Sequence, residues 1–118
     1  MGSCTFDTYS VGKSPDDAFE NAQRHAEEYY GHQEGYSGQI NSKTGFVEVP
    51  YHMYKGKKNH EKVAWELVDD DWAGTDSKWG PAGCMEIKGQ KANRIKKAKG
   101  VSGKKGYKAY YFFGWAPC

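Results

Sequence analysis

A chain of 118 residues with 37% hydrophobic and 15% aromatic side chains is long enough for one domain that buries roughly 65% of its extended surface, and too rich in rings for disorder to describe it. No run of ~18 apolar residues occurs, and residues 1–6 lack a basic region followed by an apolar stretch, so neither a membrane span nor a secretory signal is expected. The formal charge of +2 hides an asymmetry: of seventeen Lys and Arg residues, nine fall between positions 88 and 108, where no acid occurs, which leaves eight against fifteen acids elsewhere.

Residues 4–11 mix Thr, Phe, Tyr and Val with polar residues and stop at Gly12, which suits a strand. Ser14-Pro15-Asp16-Asp17 then supplies an N-cap hydroxyl, a proline at the first helical position and carboxylates in the first turn. The helix predicted from this signal covers 15–30, because Ala18, Phe19, Ala22, Ala26, Tyr29 and Tyr30 recur at three- and four-residue spacing. Gly31 offers the left-handed stop. Residues 36–40 and 46–51 flank Asn41-Ser42-Lys43-Thr44-Gly45 and are expected to pair as an antiparallel hairpin, with Pro50 at an edge.

After a loop at 54–58, Asn59 caps a second predicted helix that carries Val63, Ala64, Leu67 and Val68 on one side and finishes near Asp70. Residues 71–81 read as a Trp-bearing loop. The last strands are expected at 85–88 and 107–115, joined by a basic Lys/Gly-rich loop at about 88–106. The order is β-α-β-β-α-β with one further strand. It predicts a single α+β domain over 1–118, a two-layer sandwich of two helices on a mainly antiparallel sheet, ferredoxin-like with an extra C-terminal strand.

The strongest functional candidate is the basic segment with the rings that follow it: Lys91, Arg94, Lys96, Lys97, Lys99, Lys104 and Lys105, with Tyr110 and Phe112. Single-stranded nucleic acid is held by cations along its phosphates and by aromatic faces under its bases. In a strand Tyr110 and Phe112 share one face, whereas Tyr111, Phe113 and Trp115 share the other, so a sheet covered on one side leaves rings open to a ligand. The plainer alternative is a solvated lysine loop next to a central strand whose rings are buried on both faces or in a dimer contact. Eight of the nine cations are lysines, point charges that position a phosphate backbone without reading sequence.

Other chemistry finds little support. Gly45-Phe46-Val47-Glu48-Val49 is similar to half of an RNA-recognition signature, but Thr44 and Val49 stand where stacking rings are required. Asp69, Asp71 and Gly74 fit a calcium loop at its first, third and sixth places, while Ala73 and Gly80 break it at the fifth and twelfth. His25, His32, His52 and His60 form no zinc-binding pair, and Cys84 has no neighbouring base. No catalytic residue, metal or cofactor is expected, and the chain does not read as an enzyme. Cys4, Cys84 and Cys118 are an odd set without metal spacing, so a reducing, cytoplasmic setting is expected.

The segments Gly35-Tyr36-Ser37-Gly38-Gln39-Ile40, Lys78-Trp79-Gly80-Pro81-Ala82-Gly83-Cys84 and Tyr111-Phe112-Phe113-Gly114-Trp115-Ala116 resemble a small uncharacterised bacteriophage and bacterial protein family. The resemblance spans most of the chain and implies an origin more than a mechanism. It implies an accessory protein of the host cytoplasm that works by binding, with nucleic acid as the first expectation. Two alternatives stand beside it: an anti-defence inhibitor that sequesters a host protein or nucleotide signal, and a structural or assembly component that forms a homo-oligomer.

Overall fold

Rings that alternate between both faces of a strand are all buried only where the strand has neighbours on either side and cover above and below. The last segment of this chain lies in such a place. The computed structural model describes residues 2–30 and 39–117. Strands β1 (Ser3–Gly12) and β4 (Lys108–Pro117) pair antiparallel along their whole length, from Ser3 opposite Pro117 to Gly12 opposite Lys108. On the other side of β4 runs β3 (Ala82–Ile87), also antiparallel, and β2 (Phe46–Glu48) adds to β3 in parallel. The sheet is open and mixed, in the order β1-β4-β3-β2.

Among the described residues three α-helices complete an α+β fold: α1 (Pro15–Tyr30), α2 (His60–Asp69) and α3 (Gly89–Ala98). One face of the sheet buries Phe6, Cys84, Tyr110 and Phe112 against Ala18, Phe19, Ala22 and Ala26 of α1. The opposite face buries Met85, Tyr111 and Phe113 with Ala64 and Val68 of α2 and Ala92 of α3. Alanines along α1 let it approach closely. At Gly12 a Cβ would lie 2.4 Å from the Ala18 nitrogen, and Ser10 Oγ donates to the Ala18 carbonyl at 2.8 Å. Gly83 serves the other face, where an added Cβ would lie 2.3 Å from the Phe113 ring.

The cap signals act as expected. The Asp17 amide donates to Ser14 Oγ at 3.1 Å, and the Lys62 amide donates to the Asn59 side chain at 3.1 Å. The turn expected between the hairpin strands takes another form. Residues 31–38, which hold Gly31, His32 and most of the strand expected at 36–40, lie outside the described residues, and Ile40–Ser42 is a 3-10 turn. Gln23 of α1 fixes this turn by donating to the carbonyls of Ile40 and Lys43 at 3.3 and 2.6 Å. β2 pairs in parallel with β3, and α2 supplies the crossover that a parallel pair needs. Among the described residues strands and helices alternate, and the sheet order β1-β4-β3-β2 replaces the expected ferredoxin-like one.

The basic segment also departs from expectation, because it contains α3 and is not a loop throughout. Gln, Lys, Arg and Ala are good helix formers, and Ala92 and Ile95 give the three-residue spacing of a narrow apolar stripe. Gly100, at φ +77°, takes the left-handed turn that ends the helix.

The Trp-bearing loop is held from below. Lys43 is only 4% exposed, and its Nζ donates to the carbonyls of Ser77, Lys78 and Gly80 at 3.3, 3.1 and 2.9 Å. Asp71 and Ala73 in this loop adopt left-handed backbone despite bearing side chains. Cys4 is disulfide-bonded, which the odd cysteine count does not announce, and Cys84 is a buried free thiol. Among the described residues no helix is long and apolar enough to cross a membrane.

Candidate functional site

The structure separates the two halves of the expected interface. Tyr110 is 2% exposed and Phe112 is 0% exposed. Their rings pack under α1, with Phe112 at 5.5 Å from Phe19 and 5.8 Å from Phe46 between centroids. Neither ring can lie under a base, which corrects their assignment as ligand-stacking residues. The cause is the position of β4, a central strand with helices over both faces.

The cations remain at the surface. Arg94, Lys97 and Lys99 are exposed on α3 or at its end, Lys104 and Lys105 are exposed on the turns that follow, and Lys91 and Lys96 are half-buried on α3. Among the described residues, Lys91 has a carboxylate partner, Glu61 at 3.8 Å, and no acid pairs with Arg94, Lys96, Lys97, Lys99, Lys104 or Lys105. Helix formation concentrates these charges. Positions 94 and 97 lie three apart on one helical face, where like charges repel by a few tenths of a kcal/mol unless an anion bridges them.

A second group, absent from the sequence expectation, gathers beside the start of α3. Lys57, Lys58, Lys88 and Lys91 line a cleft of about 190 Å³ together with Tyr51, Tyr54, Gly56, His60, Glu86 and Ile87. Its floor is fixed, because the Tyr54 hydroxyl donates to the Glu86 carbonyl at 3.0 Å and accepts from the Glu86 amide at 2.9 Å. Burial pushes this phenol up to about 12. The Tyr51 and Tyr54 rings meet nearly perpendicular at 5.2 Å between centroids, and Lys88 Nζ lies over the Tyr51 ring at 4.1 Å. Tyr51 is 40% exposed, an uncommon position for so large a ring in this molecule.

His60 on the cleft lining belongs to a hydrogen-bonded chain with Tyr9 and Glu61. Tyr9 donates its hydroxyl proton to Glu61 Oε2, and its oxygen lies 2.8 Å from His60 Nε2. A phenol that gives its proton away must receive one from the imidazole, so Nε2 of His60 is the protonated nitrogen and Nδ1 is an acceptor. Burial, and then the Lys91 charge, hold the His60 pKa below its ordinary value, which keeps the ring neutral at pH 7. Lys91 Nζ also lies 5.3 Å from the Tyr9 ring centroid.

A sequence signal for this group exists in Tyr51-His52-Met53-Tyr54-Lys55-Gly56-Lys57-Lys58, where rings and cations interleave. Read as a loop, the stretch reveals nothing of its neighbours, since Lys88 and Lys91 come from thirty residues further on. Elsewhere the acidic loop offers less. Among the described residues no group of three or more His, Cys, Asp and Glu side chains converges as metal ligands. Asp76 has its pKa raised by a hydrogen bond with the Asp71 carboxyl. No family model, curated protein or solved structure matches the chain.

Proposed function

We propose that this protein acts by binding nucleic acid through the phosphate backbone, using the cations of α3 and the turns after it. The observation that carries the reading is the set of cations from Arg94 to Lys105, at the surface and without carboxylate partners among the described residues. Cations so placed gain by displacing the counterions of a polyanion. With Tyr110 and Phe112 enclosed, the mode is backbone contact and not base stacking along β4. Lysines dominate, so binding is tolerant of sequence.

The resemblance to phage and bacterial proteins gives this activity its setting, an accessory factor without catalysis in the cytoplasm of the host. The disulfide at Cys4 stands against a reducing compartment, where thiols are kept free. Mass measurement of the freshly isolated, alkylated protein decides between them. The binding reading is tested by fluorescence anisotropy with labelled oligothymidylate and oligoadenylate at low salt. Both bind with similar affinity, and the variant Lys96→Ala/Lys97→Ala/Lys99→Ala binds both at least tenfold more weakly; a native chain that binds neither refutes the reading.

A further inference from the structure

The cleft between the Tyr51 segment and the starts of α2 and α3 has features that a general polyanion surface does not need. Its lysines, Lys57, Lys58, Lys88 and Lys91, face Glu86 on the lining and Glu61 bound to Lys91, which leaves two positive charges in excess. The start of α3 adds to this field. Its N-cap residue, Lys88, makes no side-chain cap bond, and its first turn holds no acid, so its free amides favour an anion. These features recognise phosphate.

A second set recognises a flat ring. Tyr51 is half-open, fixed in orientation by Tyr54, and covered on one side by Lys88. Tyr54 is itself pinned to the Glu86 backbone, so the platform is formed before any ligand arrives. His60 lines the same cleft and is held in place through Nε2 by the Tyr9 hydroxyl. The cleft shares Tyr51, Tyr54, Glu86 and Lys88 with a neighbouring hollow of about 360 Å³. Together the two reach the ~300–1,000 Å³ class of small-ligand sites.

We infer that this cleft holds a single nucleoside phosphate, with its base on Tyr51 and its phosphate among Lys57, Lys58, Lys88 and Lys91. The shared chemistry is one base with one phosphate, supplied by a free nucleotide or by one unit of a strand lying along α3. Only the strand arm rests on the nucleic-acid reading given above.

The test is an amide chemical-shift titration of the labelled native protein, with adenosine monophosphate and separately with a short oligothymidylate. Shifts at residues 51–60 and 86–91 with the mononucleotide support a free-nucleotide site, and shifts there with the oligonucleotide alone support a strand unit. Tyr51→Ala weakens the responding ligand about tenfold, in line with the loss of one base–ring stack. Lys88→Gln weakens it severalfold, and Glu20→Gln on α1 leaves it unchanged. Thermal unfolding confirms that each variant folds.

Amides of the cleft that stay still with both ligands overturn the inference, as does a Tyr51→Ala variant that binds as well as the native chain. The two proposals fail separately. A silent cleft combined with oligonucleotide binding that disappears in Lys96→Ala/Lys97→Ala/Lys99→Ala removes the cleft and keeps the surface. Mononucleotide shifts in the cleft without any oligonucleotide binding do the reverse.

Discussion

Replacing Lys43 with Met removes a buried ammonium group while keeping most of its volume. Lys43 has no carboxylate partner among the described residues and donates to three backbone carbonyls. Burial lowers its pKa from 10.5 to about 8. Between these values the unfolded chain holds a proton that the folded chain has released, so the Lys43 contribution to stability rises with pH across that window. At 1.36 kcal/mol per pKa unit the rise from about pH 7 to about pH 9.5 is up to about 2 kcal/mol. The three hydrogen bonds favour the charged form and draw the value below that limit.

Other groups move the opposite way. Burial raises the pKa of the Cys84 thiol and of the Tyr9, Tyr54, Tyr110 and Tyr111 phenols. Their folded forms keep protons that the unfolded chain loses from about pH 9 upward, so their stabilising effect is full below that range and declines above it. Absolute stability mixes both trends, whereas the difference between the native chain and Lys43→Met isolates the lysine. Urea unfolding followed by Trp fluorescence near pH 7 and near pH 9.5 measures that difference. The native chain gains on the variant by up to about 2 kcal/mol at the higher pH. A difference that is the same at both pH values refutes the reasoning.

Phe112→Leu costs roughly 1 kcal/mol of stability by urea unfolding and leaves oligonucleotide affinity unchanged, because this ring is core and touches no ligand. Gly83→Ala, whose Cβ would meet the Phe113 ring at 2.3 Å, lowers stability by about 1–3 kcal/mol in the same assay.

How much of this was legible depends on where each signal resides. The start of α1 is written in Ser14, Pro15 and Asp17, and the start of α2 in Asn59, since caps are local. The alternation of β4 is equally plain, but which of its faces is covered depends on helices remote in sequence, so the same rings support a ligand platform or a core. The stripe of α3 rests on Ala92 and Ile95 alone, and the surrounding charge masks it. Asn41 to Gly45 has the chemistry of a hairpin turn, yet Gln23 and a partner strand beginning at Ala82 decide its path. The lysines of the candidate surface could be named from sequence. The cleft could not, because its two lysine pairs meet only after α2 and β3 have been placed.

The salt dependence of oligonucleotide binding tests the central claim most directly. If about five cations of α3 and its following turns each displace a counterion, log K against log salt concentration falls with a slope of about −3.5 on a single strand. In Lys96→Ala/Lys97→Ala/Lys99→Ala three of those contacts are gone, and the slope flattens by about 2. A slope near zero for the native chain, or one that the triple substitution does not change, contradicts the account.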